Sequence, residues 1–223
     1  MKTLVVAPHP DDELLGCGGT LLKRSSEGAT IGWLLMTAMT PEAGWSQEKI
    51  LSRNKEIDRV ASGLGISTDN VFKLGFPTAQ LDQVPSSELI ASIGVVFQKF
   101  RPEEVLLPHP GDIHSDHRIT FESCSACTKW FRYPSVERVL TYETLSETEF
   151  GLDQVSPAFR PNLFVDITDQ LGLKLKLLQI YQSELGKYPF PRSIEAVRSL
   201  SMLRGSQRGV MAAEAFQILR SFE

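Results

Sequence analysis

Residues 3–13, TLVVAPHPDDE, decide how this chain is read. Thr3–Ala7 is short, apolar and β-branched, which predicts a strand buried on both faces. Pro8-His9-Pro10 ends it, because proline removes an amide donor and restricts the residue before it. Asp11–Ser25 then reads as a helix that opens on acids suited to a helix N-terminus. A strand that runs straight into a helix starts a βαβ unit, and its carboxyl end is where open α/β sheets bind ligands.

The same alternation continues outward. Strands are predicted at Ala29–Met36, Asn70–Leu74 and Glu104–Leu107, and helices at Gln47–Leu64, Ser87–Lys99 and Thr120–Phe131. In the second helix Ile50, Ile57, Ala61 and Leu64 recur at helical spacing. Further strands are expected at Val136–Glu143 and Asn162–Ile167. Helices are expected at Leu171–Glu184, Arg192–Leu203 and Ala212–Phe222. The pattern predicts a mostly parallel, doubly wound α/β sheet with helices on both faces. With no repeat or linker, residues 1–223 read as a single domain, the part from about Val136 forming an added layer over the sheet.

Composition excludes several classes. Apolar residues make up 42% and charged residues 22%, ordinary globular usage that leaves no room for a disordered or fibrous chain. The charge of −4 supplies no basic field for nucleic acid. No apolar run approaches the ~18 residues of a membrane span, and the start is too short for a secretory signal, so a cytoplasmic location is expected. Three cysteines are too few and too odd in number for a disulfide framework.

The chain has four histidines: His9 and, within nine residues, His109, His114 and His117. The second group, HPGDIHSDH (109–117), also follows an apolar strand. Each motif has an ordinary explanation. The acids after His9 could only cap a helix, and the later histidines could be a solvated polar loop. Together they place imidazoles and carboxylates at two strand ends, a ligand set expected for zinc or another divalent first-row metal. Should residues 114–117 turn helical, His114 and His117 share a face.

VVAPHPDDELLGCGGTL followed by HSDH resembles the PIG-L/LmbE-like superfamily of metal-dependent N-deacetylases. Arg53-x-x-Glu56, Phe164–Thr168, Tyr181–Glu184, Arg204-Gly205 and Ala213–Phe216 follow as weaker landmarks in order. The resemblance implies a Rossmann-like fold and a mononuclear site. His9, Asp12 and His117 match the metal ligands, with Zn2+ as the ion and Fe2+ or another divalent metal as substitutes. Asp11 matches the general base, His114 a residue that supports the oxyanion or leaving group, and Asp116 one that orients and charges that histidine. Arg53 matches a substrate-binding arginine. The implied substrate is a small-molecule N-acetylglucosamine-type amino sugar or glycoconjugate; a homo-oligomer is left open. Two departures concern sugar contacts and the pocket wall: many relatives have an Asp after a Gly-x-Pro turn, where Gly75-Phe76-Pro77 is followed here by Thr78 and Ala79 with Asp82 later, and Ala212 stands where many have Tyr.

The expected activity is therefore metal-assisted hydrolysis of an acetamide, with Asp11 free to take a proton from water. Two other readings stay open: an amidase or deacylase of a non-sugar N-acyl amine, and a binding module whose metal is structural. A structural zinc would be closed by four ligands. Cys124-x-x-Cys127 reads as buried thiols and Gly16–Gly19 as a close helix–strand approach or a pocket-lining backbone. Trp45 and Tyr188–Arg192 are candidate sugar, lid or packing contacts.

Overall fold

Along β1 (Lys2–Ala7), side chains alternate between two buried layers. Val5 and Ala7 join one core cluster, Leu4 and Val6 the other, and all four are fully buried. A strand of this kind needs a covered sheet on both faces, and the rest of the chain supplies it. The computed structural model describes residues 1–152 and 158–222.

The remaining elements are α1 (Asp12–Ser26), β2 (Thr30–Ala38), α2 (Gln47–Gly63), β3 (Val71–Pro77), α3 (Ser86–Phe100), β4 (Glu104–Pro108), α4 (Ser115–Ala126), β5 (Arg138–Tyr142), β6 (Leu163–Asp166), α5 (Leu171–Leu178), α6 (Ile194–Arg208) and β7 (Ala213–Ser221). Among the described residues they form one seven-stranded sheet in the order β3-β2-β1-β4-β5-β7-β6. Strands β1 to β5 are parallel, and β7 runs antiparallel between β5 and β6. Residues of α1, α2, α5 and α6 fill one face, and residues of α3 and α4 the other. The mostly parallel α/β fold read from the sequence is the one observed.

Strand β1 pairs with β2 on one side and β4 on the other. The chain order reverses there, leaving a crevice outside the carboxyl ends of β1 and β4. At the opposite ends, Glu104 of β4 is fully buried and accepts bonds from Thr3 Oγ1 and from the Arg24 guanidinium of α1. That ion pair pins strand to strand and helix to strand beneath the crevice.

Four expectations change. Ala212–Phe222 is strand β7, not a helix. Its Glu, Ala, Gln and Leu favour a helix in isolation, but pairing with β5 and β6 takes its backbone bonds. The segment from Val136 is more than an added layer: β5, β7 and β6 extend the sheet itself, while α5 and α6 pack over one face. The Leu171–Glu184 helix stops at Leu178, and the chain turns through Tyr181 into a short 3-10 turn at Gln182–Glu184. Helix α4 also begins earlier than predicted, at Ser115 rather than Thr120, and ends at Ala126.

Helix α1 carries a kink at Cys17, where φ is −146°. The amides of Gly19 and Thr20, loosened by the kink, donate to Glu214 of β7 at 2.8 and 2.7 Å. Lys174 of α5 adds a buried ion pair to the same carboxylate at 2.8 Å. The glycines permit the close approach expected of them: a Cβ at Gly16 would sit 2.2 Å from the Tyr142 ring. Cys124 and Cys127 are buried in the second core cluster. Among the described residues no helix is long and apolar enough to cross a membrane.

Glu214→Ala strands the Lys174 ammonium and two buried amides together. Urea denaturation is expected to show a loss of about 3–5 kcal/mol. A loss below about 1 kcal/mol, the scale of an exposed pair, would contradict the role given to Glu214.

Candidate active site

The end of β1 runs through Pro8 into His9, and α1 begins at Asp12. The His9 amide donates to Asp12 Oδ2 at 2.9 Å, which folds that carboxylate back under the imidazole. Asp11 occupies the position before the helix, yet its side chain makes no capping bond. Helix capping therefore does not account for it. Asp11 Oδ2 is buried without a hydrogen-bond partner.

The end of β4 supplies the other half. His114 has extended backbone and caps α4 by accepting the Asp116 amide on Nδ1 at 3.1 Å. In the neutral ring the proton then sits on Nε2. Three residues on, fully buried His117 donates from Nδ1 to Asp112 Oδ2 at 2.8 Å. Thr148 Oγ1 fixes the other oxygen of Asp112 at 2.6 Å. This leaves His117 Nε2 buried and unpartnered, 3.4 Å from Asp12 Oδ2.

Among the described residues two overlapping groups could hold an ion, each with its ligand atoms within 4.8 Å of one another: His9, Asp12 and His117, and His9, His114 and Asp116. The first fits a metal better. His117 presents an orphaned nitrogen while its other nitrogen is held by a carboxylate, the usual support of a metal-bound imidazole. In the second group Asp116 is already occupied. Its Oδ2 accepts from the Ala79 amide at 2.7 Å and pairs with His9 Nε2 at 3.0 Å, and its Oδ1 accepts from the Leu81 amide at 3.2 Å. The carboxylate expected to orient His114 is thus bonded to His9, and His114 is held instead by the Asp116 backbone amide.

The site calls for positive charge. Burial opposes a charged His9, but bonds to Asp116 and Asp12 outweigh it and lift the imidazole to about 9. Burial likewise opposes charge on His117, and Asp12 and Asp112 again raise it. Asp12 is held well below its usual value against burial, chiefly by His117. Burial, then the charges of Asp12 and Glu184, push Asp11 up to about 8. Burial and the nearby His9 lower His114, so its ring is neutral near pH 7.

His9, Asp11, Asp12 and His114 line a cleft of about 380 Å³. Leu35, Met39, Ile50 and Ile57 form its apolar wall, and Trp45 lines it as one of the readings of that residue required. Arg53 also lines it, but its guanidinium is largely engaged. It donates to Ser183 Oγ at 3.0 Å and to the Pro10 carbonyl at 3.4 Å, and it pairs with Glu56 and Glu184. Arg192 has free donors: its side chain makes no hydrogen bond among the described residues, and it stands 3.9 Å from Asp11 Oδ2 and from Glu184 Oε2. His109 lies outside both ion-holding groups and packs edge-on against Phe159. Thr78, at the departure after Gly75-Phe76-Pro77, lines the cleft and bonds to Thr37 and Ala38.

The sequence singles out no role for Asp112 or Glu184, and it marks Arg192 only as the cation of the Tyr188–Arg192 loop, a candidate sugar, lid or packing contact. Asp112 carried a signal, a carboxylate five residues before His117 inside the same motif. Glu184 and Arg192 are placed by the turn after α5 and by the Tyr188–Arg192 loop, which no periodicity encodes.

The family profile described as PIG-L, GlcNAc-PI de-N-acetylase, matches residues 4–128. A diacetylchitobiose deacetylase of Thermococcus kodakarensis is 28% identical over 98% of this chain and 83% of its own. A probable N-acetyl-alpha-D-glucosaminyl L-malate deacetylase of Bacillus anthracis is 24% identical over 81% of this chain and 80% of its own. Among solved structures, the N,N'-diacetylchitobiose deacetylase of Pyrococcus horikoshii, complexed with an inhibitor, superimposes with a TM-score of 0.77 at 27% identity. That match covers 98% of this chain and 84% of the other.

Zinc titration followed by thermal unfolding is expected to stabilise the protein by about 2.7 kcal/mol at a free concentration 100-fold above Kd. His117→Ala removes the effect, His114→Ala leaves it, and Asp112→Asn weakens affinity by about 10–100-fold. Equal loss in the His114 variant and none in the His117 variant would move the ion to the second group.

Proposed function

The chain belongs to the PIG-L family, and from that premise we propose that it is a metal-dependent hydrolase that removes the N-acetyl group from an N-acetylglucosamine-type amino sugar or glycoconjugate. The observation that carries this reading is a pair of buried atoms without hydrogen-bond partners: Asp11 Oδ2 on the cleft wall, and His117 Nε2 behind it, 3.4 Å from Oδ2 of the cleft-lining Asp12. A structural metal site needs no unpartnered carboxylate beside it, and a helix cap would have used Asp11.

His9, Asp12 and His117 would hold the ion, Zn2+ being the fitting choice for an imidazole–carboxylate set and Fe2+ also compatible. Bound there, the metal supplies Lewis-acid polarisation and activation of water. Asp11 accepts a proton from the attacking water and returns it to the amine nitrogen as the C–N bond breaks, giving acetate and a free amine. A group that must accept and then donate works best with a pKa near the working pH. Asp11, at about 8 beside the charges of Asp12 and Glu184, would be drawn toward the ionised form by a cation held at Asp12. His114, neutral with its proton on Nε2, donates to the acyl oxygen as negative charge develops there.

The sugar would lie along the apolar wall with Trp45 beside it. Arg53 fixes the wall and Glu184; Arg192 reaches ring hydroxyls with its uncommitted donors. Buried free thiols at Cys17, Cys124 and Cys127 suit a reducing, cytoplasmic setting. The whole chain, 1–223, acts as one catalytic domain.

A panel of N-acetyl substrates read by acetate release is expected to favour N-acetylglucosamine derivatives over N-acetyl alkylamines. The opposite order would support the non-sugar deacylase. Asp11→Asn is expected to lower kcat by about 10²–10⁴-fold with metal content unchanged. Its melting temperature should equal or exceed that of the wild type, because a buried charge is removed. Lost metal or surviving turnover would remove Asp11 from its role. Arg192→Ala is expected to lower kcat/KM for the sugar by about 10–100-fold, with little effect on an N-acetyl alkylamine.

A further inference from the structure

Three consecutive acids open α1, and the first two are accounted for by the proposed chemistry. Glu13, the third, is fully buried. A carboxylate this deep is costly unless its oxygens are satisfied. Both are. Oε2 accepts the backbone amide of Asp11 at 3.0 Å, and Oε1 accepts the hydroxyl of Tyr181 at 3.1 Å.

The partner of that bond is unusual. Asp11 has φ of +133° and ψ of −27°, a region that side-chain-bearing residues rarely enter. Strain of this kind persists only where surrounding contacts over-determine it. The conformation has a visible consequence. An Asp before a helix normally turns its carboxylate onto the amides of the first turn. Asp11 does not, and its Oδ2 stays without a partner at the cleft. The three acids therefore diverge: Asp12 folds onto the His9 amide, Glu13 turns inward, and Asp11 faces the cleft.

We infer that Glu13, anchored by Tyr181, is a positioning residue that holds Asp11 in its strained backbone state and so keeps the carboxylate aimed at the substrate. Tyr181 is itself fixed. It is fully buried, it sits where the chain turns out of α5, and the Arg53 guanidinium lies 5.3 Å from its ring centroid. A continuous set of contacts thus joins the cleft wall to the backbone of Asp11. The inference rests on the reading of Asp11 as general base.

The test compares metal-loaded Glu13→Gln, Glu13→Ala and Tyr181→Phe proteins by steady-state kinetics, metal content and crystal structure. Glu13→Gln keeps an acceptor for the Asp11 amide and is expected to hold kcat within about threefold. In Glu13→Ala, Asp11 φ is expected to relax to negative values, with kcat falling about 100-fold while KM and metal content are kept. Tyr181→Phe keeps the ring and loses the anchor; a fall in kcat of about tenfold is expected, and it stands in for Glu13→Ala should that variant not fold. Unchanged φ and kcat in Glu13→Ala, or unchanged kcat in Tyr181→Phe, would overturn the inference. So would a Glu13→Gln protein that loses as much kcat as Glu13→Ala while Asp11 stays at positive φ. Turnover by Asp11→Asn would instead sink the reading of the base, and the crystallographic φ would still judge the positioning role.

Discussion

The parallel pairing of β1 with β4 is the constraint on which everything else in this molecule depends. Residues separated by 107 positions, His9 and Asp116, come within 3.0 Å only because these strands lie side by side. Their register, Thr3 on Glu104 and Val5 on Leu106, sets the height of both strand ends. The Arg24–Glu104 pair and the Thr3 hydroxyl fix that register from the far end, where no chemistry occurs. Stability and function are thus divided along one pair of strands: apolar packing and an ion pair below, titratable groups above.

The upper end is built against the rule that buried polar groups should be satisfied. Asp12, Asp112 and Asp116 surround two imidazoles, and each histidine is drawn toward the charged form despite burial. Asp11 Oδ2 is left without a hydrogen-bond partner, and the residue is strained in its backbone. Each feature costs stability, and the buried contacts of Glu13, Glu214 and the two core layers offset it. Such concentration of unfavourable features in one place is expected of a site whose environment is tuned for chemistry.

Much of this was legible in the sequence. Strands β1 to β5 declared themselves as short apolar runs, because a strand covered on both faces has little freedom in composition. The site was legible because rare residues gathered at two strand ends. What stayed hidden depends on partners distant in sequence. Strand β7 is written in helix-forming residues and becomes a strand only between β5 and β6. Helix α5 stops at Leu178, and the turn that follows brings Tyr181 onto Glu13. The bond from Asp116 to His9, the support of His117 by Asp112, and the contrast between a hydrogen-bonded Arg53 and an Arg192 held only by longer ion pairs are all tertiary facts. No periodicity in a single chain carries them.

The account stands on one divalent ion shared by the ends of β1 and β4. Anomalous diffraction from crystals of the zinc-loaded protein tests it directly. The account requires a single strong peak within bonding distance of His9, Asp12 and His117, with no direct bond to Asp11. A peak seated on His114 and Asp116 instead, or none at stoichiometric zinc, would contradict it.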